Sequence, residues 1–244
     1  YLFHAMMAGE AISMNAPLDR LFSKNIDTIQ GMATAWWPEL KRVSVNAAEI
    51  VSVPQTTRAA AFFTAGVDSY CTLRRNLDRI DSIINIAGFD IPNWDIERLA
   101  KSRQMIARVG KAIGKDVISV STNMRTYIPF RHEEWEITHL AKIGAIAHAL
   151  SGQISKAYVA SSDVPPPWGS HREMDPLWSS SALTLANDGA ELSRLEKVGT
   201  IYDWDIVPKT IKVCWENRAE TLNCGVCEKC VRTQLQFLAA GAST

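Results

Sequence analysis

The stretch RAAAFFTAGVDSYCTLRR (58–75) changes character in its middle. It enters as an apolar run, breaks at Thr-Ala-Gly, and leaves with apolar residues spaced as on one face of a helix. An apolar run without alternation suits a strand buried on both faces. Residues 58–63 are therefore expected to form a strand, and a helix is expected from about Asp68 to Arg79. The reversal from strand to helix accounts for the small residues of the turn. It leaves open why an Asp and a hydroxyl stand together where the helix begins.

The same alternation continues downstream. SIINIAGFD (82–90) reads as a second strand, followed by a helix from about Trp94 to Ile113. DVISVSTN (116–123) reads as a third strand, with a helix from about Glu133 to Leu150, and KAYVASS (156–162) as a fourth. Short apolar strands alternating with helices predict an α/β fold, a parallel sheet with helices on both faces. In such sheets ligands bind beyond the carboxyl ends of the strands.

Around this unit the texture differs. Leu18, Phe22, Ile26, Ile29 and Met32 recur at near-helical spacing, so residues 1–57 are expected to be mostly helical, closing with WWPEL (36–40) and a strand-like piece at 42–45. The segment is too short to carry its own core and reads as the end of a larger N-terminal region. The chain begins at Tyr1 rather than Met, which agrees with that expectation. SSDVPPPWGSHREMDPLWSS (161–180) is expected to be a long ordered loop, a kind of segment often functional. A helix at about 191–198 should close a domain spanning 58–205. A strand at about 210–215, a cysteine cluster and a final helix to about Ala240 should form a module at 206–244.

Of the 244 residues, 47% are hydrophobic and 21% charged, and Lys+Arg and Asp+Glu both total 26. Gripping nucleic acid through its phosphates calls for a basic excess, so the balance argues against a nucleic-acid partner. No apolar run approaches the roughly 18 residues of a membrane span, and no signal-peptide pattern is present. A cytoplasmic location is expected, with a homodimer left open.

TAGVDS (64–69) falls at the carboxyl end of the first strand and the amino end of the first helix. Backbone N–H groups there are unpaired and the helix dipole is positive, which suits a phosphate. Thr64 and Ser69 add hydroxyls. Asp68 can cap the helix or hold a magnesium ion that bridges phosphates. No Gly-Lys-Ser/Thr follows, so an ordinary nucleotide-hydrolysing P-loop is not expected. The plain alternative is a strand-to-helix turn capped by Asp68.

TAGVDS resembles the SGGxDS loop of the N-type ATP pyrophosphatases, whose members release pyrophosphate from ATP while adenylating a substrate. The resemblance implies an adenine nucleotide alpha hydrolase-like fold and an ATP-binding loop made by Thr64, Ala65, Gly66, Val67, Asp68 and Ser69. Asp68 and Ser69 would be catalytic, with ATP and Mg2+ as cofactors. Thr64 replaces Ser and keeps the hydroxyl. Ala65 replaces Gly, which costs roughly 1–2 kcal/mol if the backbone there is left-handed.

Cys214, Cys224, Cys227 and Cys230 are spaced C-x9-C-x2-C-x2-C. Two close steps put thiolates on a tight turn, and Cys214, at the end of the expected strand, supplies a fourth. Four thiolates make a closed structural zinc site, with an iron–sulfur cluster as the alternative. Clustering of this kind also favours a metal site over a disulfide framework. A pyrophosphatase loop in front and NCGVCEKC (223–230) behind together resemble 7-cyano-7-deazaguanine synthase and its relatives. That resemblance covers residues 58–240. The loop PPPWGSHREMDPLWSS (165–180) departs from the synthase pattern.

Further residues join the candidate set. Ser161, Ser162, Ser170, His171 and Asp175 follow the fourth strand on the expected ligand side, where they would recognise a substrate or hold magnesium; a self-bonded loop is the alternative. ELSRLEKV (191–198) resembles the short Lys-bearing helix of the family, implying that Arg194 and Lys197 neutralise departing pyrophosphate. A solvated helix face is the other reading. Asn123 and Arg125, after the third strand, have similar standing. Gly88 permits close approach of an adenine ring or serves as a turn glycine. Cys71 suits a small buried hydrophobe. The resemblance implies an ATP-dependent ligase-type enzyme. It would adenylate a carboxylate or amide for attack by ammonia or another amine, with a small molecule or a protein terminus as acceptor. The competing readings are a tRNA-modifying enzyme and a non-catalytic nucleotide-binding scaffold.

Overall fold

The computed structural model describes the chain apart from residues 53, 128–131, 163, 218–219 and 243–244, together with the side chains of 126, 127 and 132–134. Residue 163 of the expected long loop therefore lies outside the described residues. In chain order the elements are α1 (Leu2–Ala8), β1 (Ile12–Met14), β2 (Leu18–Asp19), α2 (Arg20–Trp36), β3 (Val45–Ala47), β4 (Ile50–Val51) and β5 (Ala59–Phe62). They continue with α3 (Val67–Arg75), β6 (Ser82–Ala87), α4 (Ile96–Ile113), β7 (Asp116–Ser121), α5 (Met124–Tyr127) and α6 (His132–Ala149). The last are β8 (Lys156–Ala160), β9 (Thr184–Asp188), α7 (Arg194–Gly199), α8 (Val207–Thr210) and α9 (Glu228–Ala239).

Five strands form a parallel sheet in the order β7-β6-β5-β8-β9, flanked by helices. Ala60, Ala61 and Phe62 of β5 stand opposite Ser82, Ile83 and Ile84 of β6, and β6 in turn pairs with β7 from Ser82↔Asp116 to Ala87↔Ser121. The connection order reverses beside β5, so the turn after β5 opens at the switch point where such sheets take their ligands. The apolar run predicted as a buried strand is one: Ala60, Ala61, Phe62 and Phe63 are all buried.

By contact density the chain forms two compact units, each with its own core. One comprises 1–58, 130–157 and 164–187. Its core includes Phe3, Met6, Ile29, Leu140 and Trp178, and Phe3 meets Trp178 edge-on at 5.5 Å. The other comprises 59–129, 158–163 and 188–244. There Tyr70 of α3 is fully buried, lying edge-on to Phe63 at 4.8 Å and hydrogen-bonded to Thr210.

Two expectations are corrected by the backbone. Residues 1–57 are not simply helical: between α1 and α2 and after α2, short segments pair as parallel strands, β1 with β3 and β2 with β4. No strand forms at 210–215, where α8 ends and extended chain follows. Its amides find other acceptors. Lys212 N–H donates to the Ala65 carbonyl at 2.8 Å, while Val213 and Cys214 N–H donate to Asn223 Oδ1 at 2.9 and 3.1 Å. The Asn223 side chain thus stands in for a neighbouring strand.

Candidate functional site

The turn from β5 into α3 holds Ala65 at φ 62°. A left-handed backbone is uncommon for a residue with a Cβ and costs roughly 1–2 kcal/mol, so surrounding structure has to impose it. Here that structure is visible: the Ala65 side chain is fully buried, and its carbonyl is held by the Lys212 amide. Within the turn, Ser69 Oγ donates to the Gly66 carbonyl at 3.0 Å and accepts from the Thr64 amide at 3.4 Å.

Asp68 does not cap the helix. The N-cap is Gly66, no side chain closes this end, and Asp68 sits in the first turn of α3. The N-cap residue therefore offers the first amides of α3 no side-chain acceptor, and the acidic group at the positive end of its dipole is Asp68 in the first turn. Asp68 instead receives two cations from α7. Arg194 Nη1 lies 3.0 Å from its Oδ2 and Lys197 Nζ lies 3.1 Å from its Oδ1.

Helix α7 is placed by a capping box: Ser193 Oγ accepts from the Glu196 amide and Glu196 reaches back to the Ser193 amide. That start puts Arg194 and Lys197 three residues apart, on one face. Lys197 is fully buried, and Nζ also donates to the Ser161 carbonyl at 2.5 Å, just past β8. Arg194 Nη2 reaches Thr233 Oγ1 of α9 at 3.5 Å. A solvated face is therefore excluded for both. The structure brings Asp68, Ser69, Arg194, Lys197 and Ser161 together around one turn.

Other predicted residues lie elsewhere. Gly88 has φ 101°, and a Cβ there would stand 2.0 Å from the Thr122 carbonyl, so what approaches this glycine is the protein's own backbone. Arg125 donates to the Phe89 carbonyl, and Asn123 is an exposed residue after β7. Ser162 is exposed. Cys71 is buried, and burial pushes its thiol upward, as fits a packing residue.

Ser170, His171 and Asp175 belong to the other compact unit from Ser161 and Ser162. The Asp175 carboxylate is fully buried and accepts from Ser170 Oγ at 2.9 Å, the His171 amide at 2.6 Å and Asn187 Nδ2 at 2.6 Å. Burial pushes its carboxyl up to about 6, against the pull of those bonds. His171 packs its ring edge-on to Trp36 at 5.3 Å. These three residues hold their own loop together, tied to β9 through Asn187.

The four cysteines do converge. One sulfur from each of Cys214, Cys224, Cys227 and Cys230 lies within 4.8 Å of all the others, with Cys224–Cys230 and Cys214–Cys227 both at 3.9 Å. Four thiolates about 2.3 Å from one tetrahedral ion stand about 3.8 Å apart, so the set fits a single metal ion such as zinc. An iron–sulfur cluster divides the four thiolates among two or four irons and spreads them wider. Gly225, at φ 77°, makes the turn that lets the Cys227 amide donate to Cys224 Sγ at 3.3 Å. Amide hydrogen bonds from Val226 and Cys227 draw the Cys224 thiol down to about 6, whereas burial pushes the Cys230 thiol up to about 12.

Lys212 is the functional candidate that the sequence concealed. It lies 8% exposed between the turn and the cluster. A lone Lys in IKVCW reads as the outward residue of a strand, and nothing in its spacing marks it otherwise. No protein-family model matches the sequence, and no curated protein matches it significantly.

Proposed function

We propose that the chain is an ATP pyrophosphatase of ligase type, related to the 7-cyano-7-deazaguanine synthase-like proteins. The observation that carries this reading is the convergence of Arg194 and Lys197 on Asp68 at the uncapped start of α3. Helix amides without a side-chain cap and two cations at one turn suit a polyphosphate, and a carboxylate among them suits its magnesium ion.

In this reading the turn at Thr64–Ser69 cradles the β- and γ-phosphates, and Arg194 and Lys197 offset their charge as they leave. An oxygen of the acceptor's carboxylate or amide attacks the α-phosphorus and pyrophosphate departs. Ammonia or another amine then attacks the activated carbon, losing a proton and expelling AMP. The protein's contribution is positioning and fixed charge. One zinc ion on Cys214, Cys224, Cys227 and Cys230, with no open coordination position, would hold α9 and the 211–214 segment in place.

The test is pyrophosphate release from Mg-ATP with a panel of carboxylate and amide acceptors plus ammonia, comparing the native chain with Asp68→Asn. Acceptor-dependent release that the variant lacks is the expected outcome. Failure of the native chain to bind ATP at all would reject the reading.

A further inference from the structure

We infer that Lys212 is a binding residue for an anionic phosphate oxygen of the nucleotide, acting from the segment that leads into the cysteine cluster. The inference rests on the ATP reading above and adds to it a residue outside the loop and outside α7.

A cavity of about 20 Å³ opens beside Thr64, at the carboxyl ends of β5 and β6, with Asn85, Asp90, Arg103 and Lys212 among its lining residues. Asp90 and Arg103 are exposed and of opposite sign. Lys212 is the cation buried in this wall, 8% exposed. An ammonium carries three donors. One goes to the Cys214 carbonyl at 3.3 Å, and among the described residues no carboxylate lies within ion-pair distance of it.

A comparison inside the same unit gives this its weight. Lys197 is buried still more deeply, 1% exposed, but its charge is met by Asp68 at 3.1 Å. Lys212 has a carbonyl where Lys197 has a carboxylate. Among the described residues no carboxylate meets its charge. Four thiolates around one zinc ion, beginning two residues on, would carry a net charge of about −2 and offset part of it, and a phosphate oxygen at the cavity would supply the direct ion pair it lacks. The residue is also fixed in register with the turn, since its own amide holds the Ala65 carbonyl at 2.8 Å. A space of this size admits about one water-sized group. It therefore takes a single oxygen from a ligand whose bulk lies over the turn.

The experiment titrates ATP, AMP and adenosine calorimetrically into the metal-loaded native chain, Lys212→Met and Lys212→Gln. Gln keeps a donor for the Cys214 carbonyl, whereas Met removes charge and donors at similar length. Both variants should lose about tenfold or more in affinity for ATP and AMP, with adenosine unchanged. Equal losses for adenosine would mean a structural role and overturn the inference. So would unchanged AMP and ATP affinity in a native chain that does bind them, which leaves the ATP reading standing. A native chain that binds neither nucleotide removes both. Should one variant fail to fold, the other decides.

Discussion

Lys197 Nζ lies 3.1 Å from Asp68 Oδ1, yet the two partners are unequally buried: the lysine side chain is 1% exposed and the aspartate 27%. Losing either partner is thus not symmetrical. Without Asp68, a desolvated ammonium keeps, among the described residues, only the Ser161 carbonyl. Without Lys197, Asp68 keeps Arg194 and access to water.

Asp68→Ala is accordingly expected to lower stability by about 3 kcal/mol, the low end for breaking a buried pair, because Asp68 is partly solvated. Asp68→Asn retains an oxygen that accepts from Lys197 and should recover at least half of the loss. Urea denaturation of both variants measures the difference. Equal stability of Asp68→Ala and the native chain would show that the pair carries no structural weight.

At Ala65 two effects oppose each other. Replacing it with Gly relieves a strain of roughly 1–2 kcal/mol but gives up a buried methyl, worth about 0.8 kcal/mol, and adds backbone entropy to the unfolded chain. Ala65→Gly should therefore shift stability by less than about 1 kcal/mol. Ala65→Val meets both the φ of 62° and a fully buried position, and should unfold at markedly lower urea. Matching denaturation curves for Gly and Val would contradict the left-handed turn.

These residues also show how far a sequence speaks for its structure. The β5 strand, the helix after it and the two βα units that follow were legible because buried parallel strands are short unbroken apolar runs. The cysteine site was legible because ligand spacing is local. TLAND (184–188) was not: β9 is only partly buried, so it lacks the apolar run that marked the other strands. IKVCW (211–215) misled in the opposite sense, with a strand's composition and the Asn223 side chain in place of a ladder. The pairing of Asp68 with α7 spans 126 and 129 residues, a separation at which spacing carries no signal. The helix itself was expected at about 191–198, and the structure starts it at Arg194, with the Ser193–Glu196 capping box.

One zinc ion per chain is expected by elemental analysis of purified protein. Cys224→Ser should lose it, and chelation should release the 211–230 segment before the sheet unfolds, seen as fast amide exchange confined to that segment and the turn it braces at Ala65. Iron with matching sulfide, or folded protein free of metal, would reject the single-ion site.

Asp175 supplies a pH dependence whose sign follows from burial. Its carboxyl is raised from 3.8 to about 6 in the fold, so the folded chain binds the proton more tightly than the unfolded one. Its contribution is fully present below about pH 4 and is lost as pH rises through 6. The span amounts to about 3 kcal/mol at most. Asp175→Asn should therefore narrow the gap in urea midpoint between pH 5 and pH 7.5. An unchanged gap would mean that the buried carboxyl titrates normally.

The last prediction concerns which bond of ATP breaks. An enzyme with a Walker lysine cleaves the terminal phosphate, with that lysine placed in the loop itself. Here two cations come from α7, and both face Asp68 in the first turn of α3. Charge so placed favours β- and γ-phosphates that leave as one unit, while the α-phosphate stays with the acceptor. AMP and pyrophosphate are the expected products once acceptor and amine are supplied, with little turnover in their absence. Lys197→Met should suppress product formation far more than it weakens ATP binding, because its charge is most needed as pyrophosphate departs. Thin-layer separation of α- and γ-labelled ATP reads the outcome directly. ADP and free phosphate, from protein cleared of contaminating ATPase, would reject the assignment.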